Sequence, residues 1–476
     1  MRLPIAFFGY KQTGDLLQRI EDHSRIEQFL TTHAPNLIFA LFSATTLCIV
    51  LGIYSINILS VFVVGTMLYV LWVTLFLKRR KILDYQFFEQ QSDQKDRVYE
   101  MIDGISEIKQ QGCEQRKRLQ WRQIQDKLFA INRRSLALNQ TEEAGGICIN
   151  ELTNIIIVII TATAVIDGNL TLGMMLATQS VIGQLRGPIE DIMDMAYQWQ
   201  DVKISLERTD EIYDMDDEET PQRHITAVTD MNIRLEHVSF KYDRMKENNI
   251  LDDINIEIPQ GRVTAIVGTS GSGKTTLAKL ILGQYAPLEG TIYVGSTRLE
   301  TINLTWWRQQ CGAVMQDGKL FEESIAQNIA LGYNEIDTSR IEYAARMANI
   351  SNDINQLPMG FDTILYQGGQ NLSNGQRQRL LIARAIYRMP RLFVFDEATN
   401  SLDTNNEITI VNNLQEIFQG KTVVLIAHRL STVLHTDNIV VLHNGHIAEQ
   451  GTHQELIQHQ GLYYKLVRNQ LDIETD

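Results

Sequence analysis

The chain has 476 residues, which is long enough for two or three domains. Its 57 acidic and 43 basic residues give a net charge of −14. This balance argues against nucleic acid as a main partner, because phosphate backbones select basic surfaces. The cysteines lie far apart without metal-ligand spacing or a recognisable nucleophile setting, so we expect a reducing compartment, no disulfide framework and no cysteine protease. They are Cys48, Cys113, Cys148 and Cys311.

Four apolar runs in the first part of the chain predict four membrane-spanning helices. The first two carry no charge, and each is about 18–20 residues long, the length of a helix that crosses a bilayer. Glu151 near the start of the third run either lines a transport path or lies at the membrane interface. The short run Leu3–Phe8 is no signal peptide, since charged residues soon follow it. The predicted spans are residues 37–54, 58–77, 148–166 and 172–187.

A basic cluster, Lys78–Lys81, follows the second span directly and places that end in the cytoplasm by the positive-inside rule. The charged segment 84–143 has helical periodicity and is interpreted as two cytoplasmic helices joined by a turn at Ile105–Cys113. We therefore predict an α-helical transmembrane domain with long cytoplasmic helical extensions at residues 1–213. An acidic linker at 214–231 and an α/β domain at 232–476, where strands alternate with helices, follow it.

The α/β part contains a phosphate-binding loop. The stretch Ile266–Leu277 fits the pattern Gly-x-x-x-x-Gly-Lys-Ser/Thr between an apolar strand and a helix. Small residues let backbone N–H groups converge on phosphate oxygens, and the helix presents its positive N-terminal end to the same anion. Lys274 can reach the terminal phosphates, and the Thr275 hydroxyl can ligate Mg²⁺. The predicted ATP-binding residues here are Gly268, Thr269, Ser270, Gly271, Ser272, Gly273, Lys274, Thr275 and Thr276.

Further motifs follow this loop in a fixed order. Gln316 comes after a short apolar strand, and Ser373 is placed to cap a helix. A second apolar strand ends in two carboxylates, Asp396 and Glu397, and a third ends at His428. Tyr242, at the end of the segment Val238–Tyr242, either stacks on adenine or packs in the core as a strand-end aromatic. The remaining motif residues are Leu372, Asn374, Gly375 and Gln376 around Ser373, and Ser401, Leu402 and Asp403 after Glu397.

This set of motifs resembles the ATP-binding-cassette family over about residues 235–466. Gly268–Thr275 looks like Walker A, Gln316 like the Q-loop and Asp396 like the end of Walker B. Residues 372–376 are similar to the signature, residues 401–403 to the D-loop, and His428 to the switch histidine. The resemblance implies ATP and Mg²⁺. It also implies a dimer in which the signature of one copy closes on the ATP bound by the other.

The residue types suit these roles. Glu397 is the candidate to orient and deprotonate the attacking water. Asp396 is expected to hold Mg²⁺ with Thr275 and Gln316. Gln316 also senses the nucleotide and His428 can hydrogen-bond the terminal phosphate, so Glu397, His428 and Gln316 are the predicted catalytic residues.

Two positions depart from the family pattern. Asn374 replaces the first Gly of the usual Leu-Ser-Gly-Gly-Gln, and we expect its tolerance of left-handed backbone to preserve the turn. Gln367 stands where exporters of the family commonly carry Glu, a position of contact with the membrane domain.

The four spans ahead of one cassette look like an ABC exporter half-transporter. The runs Leu3–Phe8, Thr13–Arg19 and Leu170–Gly173 are similar to peptidase-containing bacteriocin or double-glycine-leader peptide exporters. The resemblance makes residues 11–19 and 105–113 the coupling segments that carry cassette closure to the helices. Those exporters have a peptidase domain and six spans, so we expect this sequence to begin after the second span and to lack the peptidase.

We therefore expect ATP-driven export of a peptide or bacteriocin across the bacterial cytoplasmic (inner) membrane, with the cassette in the cytoplasm. The expected partners are a second copy of the chain, the lipid membrane, the exported peptide or other small substrate, and periplasmic or outer-membrane export components, but not nucleic acid. Two alternatives remain open: a lipid or drug exporter, and a truncated membrane-anchored ATPase that does not transport. A chromosome-maintenance ATPase is disfavoured because the roughly 100 residues between Walker A and the signature contain no heptad run.

Overall fold

The structure is a computed structural model that divides into two compact units. One comprises Phe7–Asp216, and the other comprises Asp217–Asp476 with Met1–Ala6. The described residues are 2–10, 13–213, 215, 217–243, 248–366, 369, 371–398, 400, 402–427 and 430–474. His428, Ser401 and Gln367 therefore lie outside the described residues.

Long helices form the first unit, because its apolar runs continue without a break into charged helical sequence. The α4 helix has 48 residues, which at 1.5 Å per residue makes about 72 Å. This exceeds the roughly 30 Å of a bilayer core, so the helix extends well into water. The helices are α1 Ile5–Tyr10, α2 Thr13–Gln28, α3 Ala34–Tyr54, α4 Ile56–Asp103, α5 Ile105–Gln110, α6 Glu114–Ile166 and α7 Leu172–Tyr213, with a π-helical turn at Phe29–His33.

Length and composition single out three described helical stretches that could cross a membrane: Gly14–Tyr54, Ile56–Asp103 and Glu114–Ile166. They contain the first three predicted spans. The fourth predicted span lies in α7, where Gln179, Gln184 and Arg186 interrupt the apolar sequence. It therefore stays a prediction.

The two predicted coupling segments differ in local structure. Residues 105–113 contain the short helix α5 between Gly104 and Gly112, as a turn joining two long helices requires. In the other segment, Lys11 and Gln12 lie outside the described residues, and Thr13 begins the long helix α2. The coupling role of both segments stays a prediction.

The helices α4 and α6 approach each other closely, because glycines face large side chains across their contact. A Cβ atom on Gly65 would overlap Thr153, and one on Gly145 would overlap the Trp72 ring. Small residues at such contacts let helix backbones pack tightly in a membrane. The buried core beside them comprises Leu51, Ile58, Phe62, Ile157 and Leu185.

Two sheets form the second unit. The antiparallel sheet has the order β2-β1-β4-β5, and the larger sheet has the order β10-β9-β3-β8-β7-β6. The strands are β1 Ile233–Phe240, β2 Leu251–Ile258, β3 Val263–Gly268, β4 Glu289–Val294, β5 Thr297–Arg298, β6 Cys311–Val314, β7 Leu392–Asp396, β8 Thr422–Ile426, β9 Asn438–His443 and β10 His446–Gly451. The helices are α8 Lys274–Ile281, α9 Leu304–Gln310, α10 Ile325–Ile329, α11 Thr338–Met347, α12 Ser351–Asn355, α13 Asn374–Tyr387, α14 Thr404–Phe418, α15 Leu430–Val433, α16 His453–His459 and α17 Leu462–Glu474.

The strands β3, β8 and β7 are parallel neighbours at the centre of the larger sheet. They are almost entirely buried, which explains their continuous apolar sequence. In their register Ile266 pairs with Ile426, and Ile426 pairs with Asp396. The residues that follow these three strands therefore meet at one edge of the sheet, where ligands of open α/β sheets bind.

The predicted acidic linker packs against the cassette instead of running free. Met231 is buried in the cassette core, and Ile225 forms a bridge with Ile302. The Glu218 carboxylate accepts two hydrogen bonds from Arg308, at 2.8 and 2.7 Å. Apolar side chains within the acidic sequence explain this packing, because they bury area that a flexible linker would expose.

Candidate functional site

The loop between β3 and α8 has a backbone that its glycines require. Gly268 has φ 152° and Gly273 has φ 103°, both in the region that favours glycine. A Cβ atom on Gly268 would overlap the carbonyl oxygen of Leu442, and one on Gly273 would lie 2.6 Å from the Leu251 side chain. The predicted phosphate loop is therefore formed, and the helix α8 begins directly behind it at Lys274.

Lys274 is only 6% exposed, and its Nζ donates to the carbonyl oxygens of Gly268 and Thr269, each at 3.0 Å. Burial lowers the pKa of this ammonium group, and the nearby Glu397 and Asp396 carboxylates oppose the change. A phosphate group in the loop would compensate the buried positive charge directly. The lysine is thus held across the loop in which an anion would bind.

Other residues of the loop divide into exposed and buried groups. Thr269, Ser270 and Gly271 are exposed at its tip. The Ser272 Oγ is buried and has no hydrogen-bond partner among the described residues. A buried hydroxyl without a partner is unfavourable unless a ligand or water completes it.

Tyr242 lies against the start of α8. Its hydroxyl is 3.2 Å from Thr276 Oγ1, and its ring packs edge-to-face on Phe240 and Tyr285. The ring is partly buried against the core. Both readings of Tyr242 therefore have a basis, since it packs on core residues and lies beside the phosphate loop.

Asp396 ends β7 with a fully buried side chain. Neither of its carboxylate oxygens has a hydrogen-bond partner of normal geometry among the described residues. Burial raises the pKa of Asp396, and Glu397 raises it further, whereas the Thr275 hydroxyl and Lys274 oppose the rise. A divalent cation beside Thr275 would satisfy this carboxylate, so the residues present fit Mg²⁺ held by Asp396, Thr275 and a phosphate.

Glu397 has φ 51°, a left-handed conformation that is strained for a residue with a side chain. Its N–H donates to the Ile426 carbonyl at 3.1 Å, and its own carbonyl accepts from Gln378 Nε2 at 3.1 Å. Asn400 Nδ2 donates to the Glu397 carboxylate at 2.8 Å. The neighbouring strand and two side chains therefore hold the strained backbone and aim the carboxylate.

Sequence reasoning missed Gln378 and Asn400. Gln378 belongs to the helix α13, whose N-terminal residues are part of the signature. The helix that presents the signature therefore also contacts the Glu397 backbone. Only the three-residue spacing of Asn400 from Glu397 could have indicated its contact, and nothing local in the sequence indicates that of Gln378.

Gln316 lies in an exposed turn after β6. Because β6 pairs with β7, with Val314 opposite Phe395, this turn is at the same sheet edge as Asp396. No hydrogen bond or ion pair defines the Gln316 side chain in the described part of the chain. Its roles as a Mg²⁺ ligand and catalytic residue stay predictions.

The signature residues form a capped helix N-terminus, as predicted. Ser373 Oγ accepts from the Gln376 N–H at 3.2 Å, and Gln376 Oε1 accepts from the Ser373 N–H at 3.0 Å. Gln376 Nε2 also donates to Asp353 at 2.8 Å, and Arg379 pairs with the same carboxylate at 2.8 Å. The motif is thus fixed to the short helix α12, and Leu372 is half-buried beside it.

The expected left-handed backbone at Asn374 is wrong. Asn374 is the first residue of α13, and it is not among the described residues with positive φ. Because Ser373 is the extended N-cap residue, the chain has already turned before position 374. The substitution for Gly is therefore tolerated because this position is helical, as Gly375 after it also is.

In the D-loop, Leu402 is buried and Asp403 precedes α14 as its N-cap residue. Asn406 Nδ2 donates to Asp403 at 2.5 Å, and this hydrogen bond lowers the pKa of the Asp403 carboxyl. Asn406 Oδ1 accepts in turn from Asn349 at 2.7 Å. The D-loop carboxylate is thereby connected to the segment that precedes the signature.

Two family models match the chain. The model for the ABC transporter transmembrane region matches residues 1–189, and the model for the ABC transporter matches residues 251–400. The matched ranges contain the predicted spans and the phosphate loop, signature and Asp396.

Curated relatives match the chain over nearly its whole length. The Toxin RTX-III translocation ATP-binding protein of Actinobacillus pleuropneumoniae is 34% identical over 99% of this chain and 66% of its own length. The leukotoxin translocation ATP-binding protein LktB of Mannheimia haemolytica is 34% identical over 99% of this chain and 67% of its own. The chain thus spans about two thirds of these relatives.

Among solved structures, a bacterial Atm1-family ABC exporter with ATP bound matches with a TM-score of 0.91 and 27% identity. The match covers 98% of this chain and 82% of that one. The predicted fold class, a helical transmembrane domain fused to an α/β cassette, is confirmed. The chain belongs to the ABC transporter family, as an exporter-type half-transporter that joins a transmembrane domain to an ABC ATPase domain.

Proposed function

We propose that this chain is the ATP-hydrolysing subunit of a dimeric exporter that moves a polypeptide across the bacterial cytoplasmic membrane. The observation that carries the proposal is the sheet edge at which the buried Lys274, the buried Asp396 and the strained Glu397 meet. Relatives named for toxin translocation support a polypeptide cargo. They are also the reason to expect further export components.

We assign the roles in hydrolysis from the geometry of the described residues and from the motifs. Backbone N–H groups of residues 268–273 and Lys274 bind the phosphates, while Tyr242 supports the start of α8 and offers its ring to adenine. Asp396, Thr275 and Gln316 are the residues that would hold Mg²⁺, which neutralises charge on the phosphates when bound. Glu397, aimed by Asn400, orients the attacking water and accepts its proton, and His428 contacts the terminal phosphate.

In the proposed homodimer, the signature of one copy contacts the ATP bound by the other copy. The helix α13 presents its N-terminus and the exposed Ser373 as a second anion cradle. This cradle is distant in sequence from the phosphate loop, and we assign it to the ATP of a second copy. The D-loop Leu402 and Asp403 would then lie near the same contact.

The class of exported substrate is the most specific part of the proposal. A peptide, a bacteriocin and a larger toxin-like polypeptide all have main chains made of peptide groups. We therefore assign the substrate to the polypeptides as a class. We assign the protein to the inner membrane as a multi-pass protein with its cassette in the cytoplasm, and the apolar helices support this assignment.

The test is ATP-driven uptake of a fluorescently labelled peptide into liposomes that contain the full chain, with phosphate release measured in parallel. We expect hydrolysis together with uptake, and no uptake when a non-hydrolysable ATP analogue replaces ATP. Hydrolysis without uptake would contradict export and favour a membrane-anchored ATPase. Transfer of a labelled lipid in place of the peptide would contradict the cargo class.

A further inference from the structure

The first unit contains a small polar cavity between α4, α6 and α7, within the predicted spans. Its volume is about 150 Å³, enough for a peptide group and its flanking atoms. Apolar side chains line part of it, including Phe62, Ile157 and Ile182. Polar side chains line the rest, which is unusual for a cavity at membrane depth. We name it the amide pocket, after its residues Asn154 and Gln179.

Two atoms of this pocket lack partners. Asn154 Oδ1 on α6 and Gln179 Nε2 on α7 are buried without a hydrogen-bond partner among the described residues. One is an acceptor and the other a donor. Because unpaired polar groups are especially unfavourable in an apolar environment, this pair requires a complementary donor and acceptor from elsewhere.

The charged groups at the pocket argue against an anionic ligand. Arg186 lies 3.6 Å from Glu151 and 2.9 Å from Glu190. The three side chains together carry a net charge of −1, and the guanidinium is bracketed by carboxylates. A lipid phosphate would therefore meet repulsion as well as attraction, whereas an uncharged amide would not.

Sequence spacing explains how the pocket forms. Glu151 and Asn154 are three residues apart on α6, and Gln179 and Arg186 are seven apart on α7, so each pair lies on one helix face. Gly65 on α4 completes the site, because a larger residue there would overlap Thr153 and separate α4 from α6. Glu151 is thereby placed beside the cavity.

We propose that the amide pocket binds a peptide group of the exported polypeptide, whose N–H donates to Asn154 Oδ1 and whose C=O accepts from Gln179 Nε2. This inference rests on the proposed function and deepens it. The pocket recognises main-chain atoms, so it tolerates different sequences, and its apolar walls favour uncharged side chains next to the bound group.

The test is equilibrium binding to the full chain in lipid nanodiscs without nucleotide. One probe is a fluorescent, end-capped alanine–leucine peptide, and the other is the same peptide with N-methylated peptide bonds, which retains C=O groups but loses N–H donors. Asn154→Leu and Gln179→Met each remove one pocket group. The matched controls are Asn169→Leu in the exposed loop after α6 and Gln184→Met, an exposed α7 residue whose amide donates to Ser180.

We expect each pocket variant to weaken binding of the unmethylated peptide by about 2- to 10-fold, the effect of one net hydrogen bond. Asn154→Leu should leave the already weak binding of the methylated peptide unchanged, and the control variants should bind as the parent does. All comparisons use equal amounts of protein that binds MgATP, so a misfolded variant is recognised. Because the two pocket variants lie on different helices, one of them still tests the inference if the other fails to fold.

Three results would overturn the inference: unchanged affinity in both pocket variants, equal loss for the two peptides in Asn154→Leu, or no peptide binding by the parent, as expected of a hydrated crevice only. Because binding is measured without ATP, these failures are distinct from failure of export. Retained ATP-driven uptake with a negative binding result rejects the pocket alone. The expected binding pattern without uptake rejects the export proposal alone.

Discussion

The N-termini of α8 and α13 both present backbone N–H groups to an anion, but they differ in what their own side chains already satisfy. Among the described residues at α8, Ser272 Oγ is buried without a partner and Lys274 Nζ hydrogen-bonds only loop carbonyls. The loop glycines Gly268 and Gly273 have positive φ. At α13, Ser373 and Gln376 cap each other. At the α8 terminus, a bound ligand would supply the missing hydrogen-bond partners. At the α13 terminus, the capping groups already have partners, so a ligand would only add contacts.

This difference gives the two termini different sensitivities. Substitution at α8 should act first on nucleotide binding, because the ligand supplies the missing partners. Substitution at α13 should act on hydrolysis and on stability, because the capping groups already hold the helix. The following predictions run from the largest expected effect to the smallest.

Lys274→Ala should weaken MgATP binding about 10- to 100-fold, since it removes charge-assisted hydrogen bonds to phosphate. Fluorescent ATP titration of the full chain measures this effect. Lys421→Ala is the control, because Lys421 lies in a turn at the opposite end of β8 from the site. Unchanged affinity in Lys274→Ala would mean that α8 does not hold the phosphates.

Asp353→Asn should destabilise the cassette by about 1–3 kcal/mol, because Arg379 is 7% exposed and would lose its anionic partner. Asn has only one acceptor oxygen for the hydrogen bonds that Gln376 and Arg379 now donate to two, so the link between α12 and α13 would weaken. We expect a lower melting temperature and slower hydrolysis, with MgATP affinity near that of the parent. An equal loss of affinity and hydrolysis would contradict the division of roles between α8 and α13. Asp362→Asn provides the matched control.

Ser373 separates helix capping from anion contact. Ser373→Ala should cost about 1 kcal/mol of stability through loss of the cap. Ser373→Asp keeps a capping oxygen, so its melting temperature should stay near that of the parent, but its charge should repel phosphate and stop hydrolysis. If Ser373→Asp hydrolyses ATP as the parent does, the terminus does not meet a phosphate.

Asn374→Gly has the smallest expected effect, and the test depends on the sign of the change in stability. In the observed helical conformation, glycine should destabilise the protein by about 0.3 kcal/mol, because its helix propensity is lower than that of asparagine. A left-handed residue at this position would instead make glycine stabilising. Thermal unfolding of the two proteins side by side decides between them.

Sequence reasoning was effective where the functional residues are close together in the chain. The loop from Gly268 to Thr276 is contiguous, and Asp396 and Glu397 end one apolar strand, so the strand–loop–helix pattern predicts where they meet. The same holds for the Ser373 cap, which involves residues three apart.

Contacts between distant segments could not be predicted in this way. Asp353 reaches α13 from 23 residues away, and Gln378 reaches the backbone of Glu397 across the site. The placement of Asn154 and Gln179 at one cavity depends on the packing of α6 on α7. The left-handed expectation for Asn374 failed because it treated the motif as a turn, whereas the helix had already begun.

The central claim is that Glu397 acts on water at a nucleotide held by α8, and Glu397→Gln tests it most directly. Gln preserves the shape and the hydrogen bond from Asn400 but removes the base. The measurement is MgATP affinity and phosphate release in the full chain, with the exposed Glu416→Gln as control. We predict unchanged affinity and hydrolysis reduced by about 100-fold or more. Hydrolysis at the parent rate in Glu397→Gln would contradict the account.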